Sequence, residues 1–312
     1  MACETATPDW HTLRNSILAE NSDSVLPPSV KLPVLPKALA DFRSKAEDPD
    51  ADTAELSQII ASDAGLSAEL LRIVNSCNSG VRVNVTSVKQ ALIHLGIETT
   101  LLHLTTSALK QSMKSTASKL VNFKNFWNTN LERALLAREI ATLLGADADV
   151  AFTGGMLQDV LLPLITNQLF DDYLEFTSNR DSDETLVAFE QRKFKWDHAQ
   201  AAAQVMYSWG FPDELVCCIY FHHDVIKILG DPALSKTSAA AVAISTWMPD
   251  ALRQEPNGLD ALMKLENNWA RFKLLPIAEK VNDELLEIST DARSHFTLLR
   301  FYKNAIKRMQ AN

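Results

Sequence analysis

The stretch GGMLQDVLLP, from Gly154 to Pro163, is apolar apart from one polar pair, Gln158 and Asp159. A carboxylate in such a setting is what a metal-binding protein places beside an imidazole. A divalent ion needs such donors if it is to hold phosphate oxygens and acidify a water. Here the partner ahead of the aspartate is a neutral amide, which is a weak ligand for a transition metal. His222 and His223 are sequence neighbours; on a helix they diverge by about 100°, so only one would face a common site. His94 and His103 lie in apolar helical segments and read as satisfied core or surface residues. No other catalytic pattern stands out. Gly154-Gly155 runs into Met-Leu and not into the Lys-Ser or Lys-Thr of a phosphate loop, and there is no GxGxxG, GxSxG or HExxH.

The chain that must position these residues has 312 of them, 46% hydrophobic and 22% charged. That is enough to bury a full core, and it argues against global disorder. The net charge of −9 is the wrong sign for a general nucleic-acid or anionic-membrane binder, so neither partner is expected. A local basic group, Arg300, Lys303, Lys307 and Arg308, reads as a solvated helix face. The four cysteines, Cys3, Cys77, Cys217 and Cys218, show neither CxxC nor zinc-site spacing. The vicinal pair reads as small apolar filler, with oxidant sensing as the alternative. The opening MACETATPDW lacks the blocks of a signal peptide, and no apolar run reaches the length of a membrane span. A cytoplasmic location with reduced thiols is therefore expected.

With only nine glycines and long segments of helical apolar spacing, the pattern predicts an all-α protein. Asp52 caps DTAELSQII, with Glu55 three residues on. Leu66, Leu70, Ile73, Val74 and Cys77 recur at spacings of three and four, ending at Gly80. VRVNV alternates like a strand but is too short and isolated for a sheet. Ser87 and Gln90 predict a capping box, and Gly96 a helix end. The polar run from Lys110 to Lys119 is the best boundary between two halves. Beyond it Ala134, Ala137, Ala141 and Leu144 share one helix face that Gly145 ends, and Asp197 caps a helix from His198. The last amphipathic helix is taken to include Phe296, Leu299, Ile306 and Met309. Trp127, Phe152, Trp196, Trp209 and Phe211 read as core, or as the lining of a pocket between the halves.

LPVLPKAL, then DPDADTAELSQIIASDAGLSAELLRIVNSCNSG, then VTSVKQALIHLG resembles the HDOD family of bacterial signalling proteins. The second half continues the likeness in FWNTNLERALLAREIA, VAFTGGMLQDVLLPLI and DHAQAAAQVMYSWGFPDELVCCIYFHHD. The resemblance implies an N-terminal helical half over residues 26–115 and a remodelled HD phosphohydrolase half over 120–225. A tail or short helix over 1–25 precedes them, and a helical extension over 226–312 packs on the HD-like half. It also implies where metal ligands should stand. At the first histidine position the chain has Asn128-Thr129-Asn130, at the His-Asp pair it has Gln158-Asp159, and the Ile-Gly-Lys that commonly follows is Val160-Leu161-Leu162. His198, His222 and His223 match later histidines, while the final aspartate is missing near Ser245-Thr246 and next occurs at Asp250.

Two ligands short, such a site is expected to hold no metal and no cofactor; Asp159, His198 and His222 are the ligands if one is held. Asp159 and His198 read as a buried hydrogen-bonded relic or as remnants of the ligand set. The function expected is a non-catalytic signalling module acting on proteins in trans, with a nucleotide-type ligand as a further partner. The alternative is a metal-dependent phosphohydrolase with an altered site.

Overall fold

The computed structural model describes residues 8–19, 25–48, 50–76, 85–114, 118–179 and 183–311, and it contains no strand among them. Of the VRVNV segment only Val85 falls within these residues; Cys3, Cys77 and Gly80 lie outside them. The protein is all-α. It divides into two compact units, Lys31–Thr116 and a larger one formed by Met1–Val30 with Ala117–Asn312.

Helix α1 (Trp10–Ala19) belongs to the larger unit and lies against a helix two hundred residues away, where Arg14 pairs with Asp213 at 2.8 Å. The smaller unit holds α2 (Lys37–Ala46), α3 (Thr53–Ala61), α4 (Ala64–Ser76), α5 (Val88–Leu95) and α6 (Ile97–Lys114). Their apolar stripes meet in a core of Leu39, Phe42, Leu56, Ile60, Leu70, Leu92 and Leu104. Asp52 caps α3 through Ala54 N, but Glu55 does not close the expected box; it pairs with Lys45 at 2.9 Å. Ser87 caps α5 through Gln90 N, but the Gln90 side chain accepts from Thr86 N and not from Ser87 N, so the expected box stays open. Gly96 ends the helix at φ 79°, a backbone angle open to glycine at little cost.

The larger unit is built on α7 (Phe123–Leu144), capped by Asn122 and stopped by Gly145 at φ 75°. Against it lie α8 (Ala148–Leu157) and α15 (Ser238–Thr246), and between these in the chain come α9 (Leu162–Gln168), α10 (Phe170–Ser178), α11 (Leu186–Phe194), α12 (His198–Ser208), α13 (Asp213–Tyr220) and α14 (Val225–Gly230). The chain closes with α16 (Gly258–Asn268), α17 (Leu274–Ile288) and α18 (Leu298–Ala311). Helix α15 is buried along its whole length, touching α7, α8 and α13, and α17 lies on α7. The Gly154-Gly155 pair explains how α8 comes so close to its neighbours. A Cβ on Gly154 would stand 2.6 Å from Val242 Cγ2, and one on Gly155 2.8 Å from Ala134 Cα. These glycines serve helix packing.

Two details depart from the sequence reading. Ala148–Gln168 does match a membrane span by length and composition, but 72% of it is buried inside the fold, as in a core helix, and it breaks between α8 and α9. Phe296 precedes α18, and both it and Met309 are exposed; their hydrophobicity marks no buried stripe. Arg300, Lys303, Lys307 and Arg308 are exposed on α18, the solvated face expected.

Candidate metal centre

Three interruptions of helix bring the site together. Pro163 stands in the first turn of α9 and has no N–H to extend α8. The chain turns over residues 158–161, and Asp159 sits in that turn, where its carbonyl accepts from Leu162 N at 2.9 Å. His198 opens α12 under a full capping box, in which Asp197 accepts from Gln200 N while the Gln200 side chain accepts from Asp197 N. Helix α13 ends at Tyr220, so His222 and His223 occupy a turn, not two successive helical positions. Both face the same point. The expectation that only one could do so fails because it assumed a helix that stops two residues earlier.

The geometry converges on four atoms. His198 Nε2 lies 3.3 Å from His222 Nε2, 3.1 Å from His223 Nε2 and 3.3 Å from Asp159 Oδ1. His222 Nε2 is 3.5 Å from Asp159 Oδ1, and all four atoms fall within 4.8 Å of one another. Each imidazole is anchored through its other nitrogen. His198 Nδ1 meets Glu190 Oε2 at 2.7 Å, His222 Nδ1 meets the Ile219 carbonyl at 2.6 Å, and His223 Nδ1 meets Glu255 Oε1 at 2.7 Å. These partners are acceptors, so each Nδ1 carries the proton and each Nε2 presents a lone pair inward.

Four acceptors facing one another repel unless something positive lies between them. Asp159 Oδ1 is buried and accepts no hydrogen bond, which is a rare state for a carboxylate oxygen. Two charges can resolve it. One is a proton: burial pulls the His198 imidazole down, but Glu190 and Asp159 outweigh burial and raise it to about 10. The other is a divalent metal, for which three imidazole nitrogens and one carboxylate oxygen are a fitting set. The anchoring acceptors behind each ring are the arrangement metal-binding histidines use. The donor set therefore fits such an ion, held by Asp159, His198, His222 and His223, one histidine more than the three ligands named from sequence.

The surrounding charges are arranged around this cluster. Burial opposes ionisation of Asp159, yet the Arg133 guanidinium and His198 hold it well below the usual carboxylate range. His223 is pushed well below the ordinary histidine value by burial and by its two imidazole neighbours. Burial and Asp250 push Glu255 up to about 7. Glu190 also accepts the His198 backbone N–H at 2.9 Å and the Tyr173 hydroxyl at 2.6 Å. Burial and Glu190 drive Tyr173 well above its ordinary range, so it stays a donor.

Gln158 and Thr129 do not join the cluster. Gln158 turns to α15, donating to Thr246 Oγ1 at 3.2 Å and accepting from Ser245 Oγ at 3.4 Å. Thr129 borders a small cavity with Asn130, Arg133, Asp159 and Asp250. Asp250 pairs with Arg133 at 3.0 Å and so stands outside the four-atom cluster. Arg133, Glu190, Gln254 and Glu255 escaped the sequence reading. Arg133 carried a readable signal, since it lies one helical turn after Thr129 on the same face; the glutamates and Gln254 are placed only by tertiary contacts. His94 is exposed in the smaller unit and takes no part. Cys217 and Cys218 are free and buried; burial pushes the Cys217 thiol up to about 12 and Cys218 well above the usual thiol range, as suits inert filler. The aromatic side chains pack locally: Trp127 on Phe123 and Phe126, Trp196 on Phe194, and Phe152 beneath Arg138.

Residues 32–225 match the HDOD domain, and the chain belongs to that family. It is 22% identical over 198 residues to an uncharacterized protein of Treponema pallidum, covering 62% of this chain and 38% of that one. It is 31% identical over 138 residues to the cyclic di-GMP phosphodiesterase CdgJ of Vibrio cholerae, covering 43% of this chain and 30% of the relative. The chain thus spans well under half the length of either relative. Among solved structures, one from Shewanella amazonensis SB2B, whose name carries the word phosphohydrolase, shares the fold. Its TM-score is 0.61 and its identity 24%, over 83% of this chain and 93% of that one. An HDOD domain protein of unknown function from Geobacter sulfurreducens gives a TM-score of 0.52 at 22% identity, over 75% and 77% of the two chains.

Proposed function

We propose that this HDOD protein is a non-catalytic signal-transduction module whose HD-like site keeps one divalent ion as an internal fastener and whose output is binding to protein partners in trans. The observation that carries the reading is burial on the Asp159 side of the site. Asp159 and His198 are 1% exposed and His222 not at all, while His223 is partly exposed, and the cavity that reaches Asp159 from the Arg133 side measures about 30 Å³. That space suits about one water molecule; a phosphoester does not fit it. An ion there would tie together the turns before α9 and after α13 and the start of α12. The chain's own residues hold it: Glu190, the Ile219 carbonyl and Glu255 aim the three rings, and Asp159 adds the charge. When bound, such an ion supplies Lewis acidity, but a buried one has no substrate to act on.

The second reading, a phosphohydrolase, is favoured by the four-donor cluster itself, since three or four protein ligands suffice for one catalytic metal. Its substrate class would be a phosphodiester, as named for the Vibrio cholerae relative. The deciding experiment measures metal content of the purified protein loaded with Mn²⁺, Fe²⁺ or Zn²⁺, then hydrolysis of cyclic di-GMP and of a chromogenic phosphodiester. The expected result is about one metal per chain with turnover no greater than that of Asp159→Ala. Metal-dependent turnover abolished by Asp159→Ala and His198→Ala would sink the non-catalytic reading. A thermal-shift panel of nucleotides beside a pull-down separates a nucleotide-type ligand from a protein partner.

A further inference from the structure

Next to the imidazoles lies a second buried polar group that the metal ligands leave unused. Arg133, fully buried on α7, donates to Asp159 Oδ2, to Asp250 Oδ2 at 3.0 Å and to the Met248 carbonyl at 3.3 Å. Gln254 Nε2 donates to the same Asp159 oxygen at 3.0 Å, and Asp250 also accepts from the backbone of Leu252 and Gln254. Beside them both amide atoms of Asn130, Arg133 Nε and Gln254 Oε1 are buried without partners around the small cavity. Two carboxylates converging on one point are a setting for a hard cation. What stands between them is a guanidinium, a charge that is never lost by titration.

We propose that Arg133 is a built-in cation standing where a second metal ion would stand, so that the site takes one divalent ion and excludes another. The inference rests on the reading that Asp159, His198, His222 and His223 hold a divalent ion. Asp159 divides its two oxygens between the two charges: Oδ1 faces the imidazoles and Oδ2 faces Arg133. With Oδ2 and Asp250 both taken by the guanidinium, no carboxylate remains to bridge a pair of metals. The fixed charge also repels the ion that does bind, because like charges a few ångströms apart in a buried setting interact strongly. Arg133 is thus a positioning residue that sets metal count and affinity.

The test is Mn²⁺ titration of the full chain, read by the spin-resonance signal of free Mn²⁺ and by native mass spectrometry. Wild type is expected to bind one ion, and Arg133→Lys, which keeps the charge, one ion within about threefold of the wild-type affinity. Arg133→Met is expected to bind its first ion about tenfold or more tightly, or to take up a second. Because that variant leaves Asp250 buried and unpaired, the double variant Arg133→Met with Asp250→Asn is run beside it, with the same tightening expected. Two ions on wild type overturn the inference outright. One ion on wild type, with both methionine variants within about threefold of it, overturns the role of Arg133 and leaves the metal reading standing. No binding by wild type overturns the metal reading and this inference with it.

Discussion

Asp159 works with both oxygens, and the residues behind the histidines decide what it faces. Glu190 is fully buried and holds the His198 ring, its backbone N–H and the Tyr173 hydroxyl. Glu190→Gln keeps the shape and removes the charge that makes Nδ1 a donor and Nε2 basic. Metal affinity should fall by roughly 10- to 100-fold, measured by competition with a chromogenic chelator; unchanged affinity would take Glu190 out of the site. The pH dependence follows from His198, raised from 6.5 to about 10. A group whose folded value is raised contributes stability that is fully present below its unfolded value and is lost as pH climbs through the folded one. The melting temperature of the metal-free protein should therefore decline from neutral pH toward pH 10, and His198→Gln should flatten that decline. Metal affinity should run the opposite way, rising by up to about tenfold per pH unit over the same range, because the ion must displace the His198 proton.

At the scale of elements, the site depends on helix ends and close helix contacts. Asp197 caps α12 and so fixes the first residue of that helix, His198. Asp197→Ala should cost about 1 kcal/mol of stability and also loosen metal, read by thermal unfolding with and without Mn²⁺. An equal loss of stability in both conditions would mean that the cap does not position the ring. Gly155 stands where α8 meets the backbone of Ala134 and Arg133. Gly155→Ala must push α8 from α7, at a cost of about 1 to 3 kcal/mol. The same shift pulls Asp159 from Arg133, so denaturant unfolding and metal titration should both respond. The glycine pair was visible in the sequence, but its purpose was not: only the approach of α7 and α15 gives it one.

For the whole molecule, the residues of the candidate metal centre all lie in the larger unit, Met1–Val30 with Ala117–Asn312. An ion that binds only the folded chain stabilises it by about 2.7 kcal/mol at a hundredfold excess over its dissociation constant. Calorimetry should show the transition of the larger unit moving up with Mn²⁺ and down with chelator, while the transition of Lys31–Thr116 stays in place. A uniform shift of both would argue against a local fastener. The helix α15, deep in the larger unit, comes from the segment after the HDOD match ends at residue 225. Truncation near that residue should therefore leave no folded HD-like half, a result readable by circular dichroism.

The sequence alone determined the all-α class, the family, and several helix ends such as those at Asp52, Ser87, Gly96, Gly145 and Asp197, because apolar spacing, capping residues and glycines at positive φ act within a few residues of one another. It also supplied Asp159, His198, His222 and His223, although it weighed them as an incomplete set, since Thr129 and Gln158 stand at two expected ligand positions and helical geometry allowed only one of the adjacent histidines to face inward. The early end of α13, at Tyr220, was visible only in the folded structure, where it brings both rings to one point. Likewise Glu190, Glu255, Arg133 and Asp250 acquire roles only through contacts across as many as 117 positions. No local pattern encodes such contacts, because what selects them is the need of buried charges for partners once the helices have closed around them.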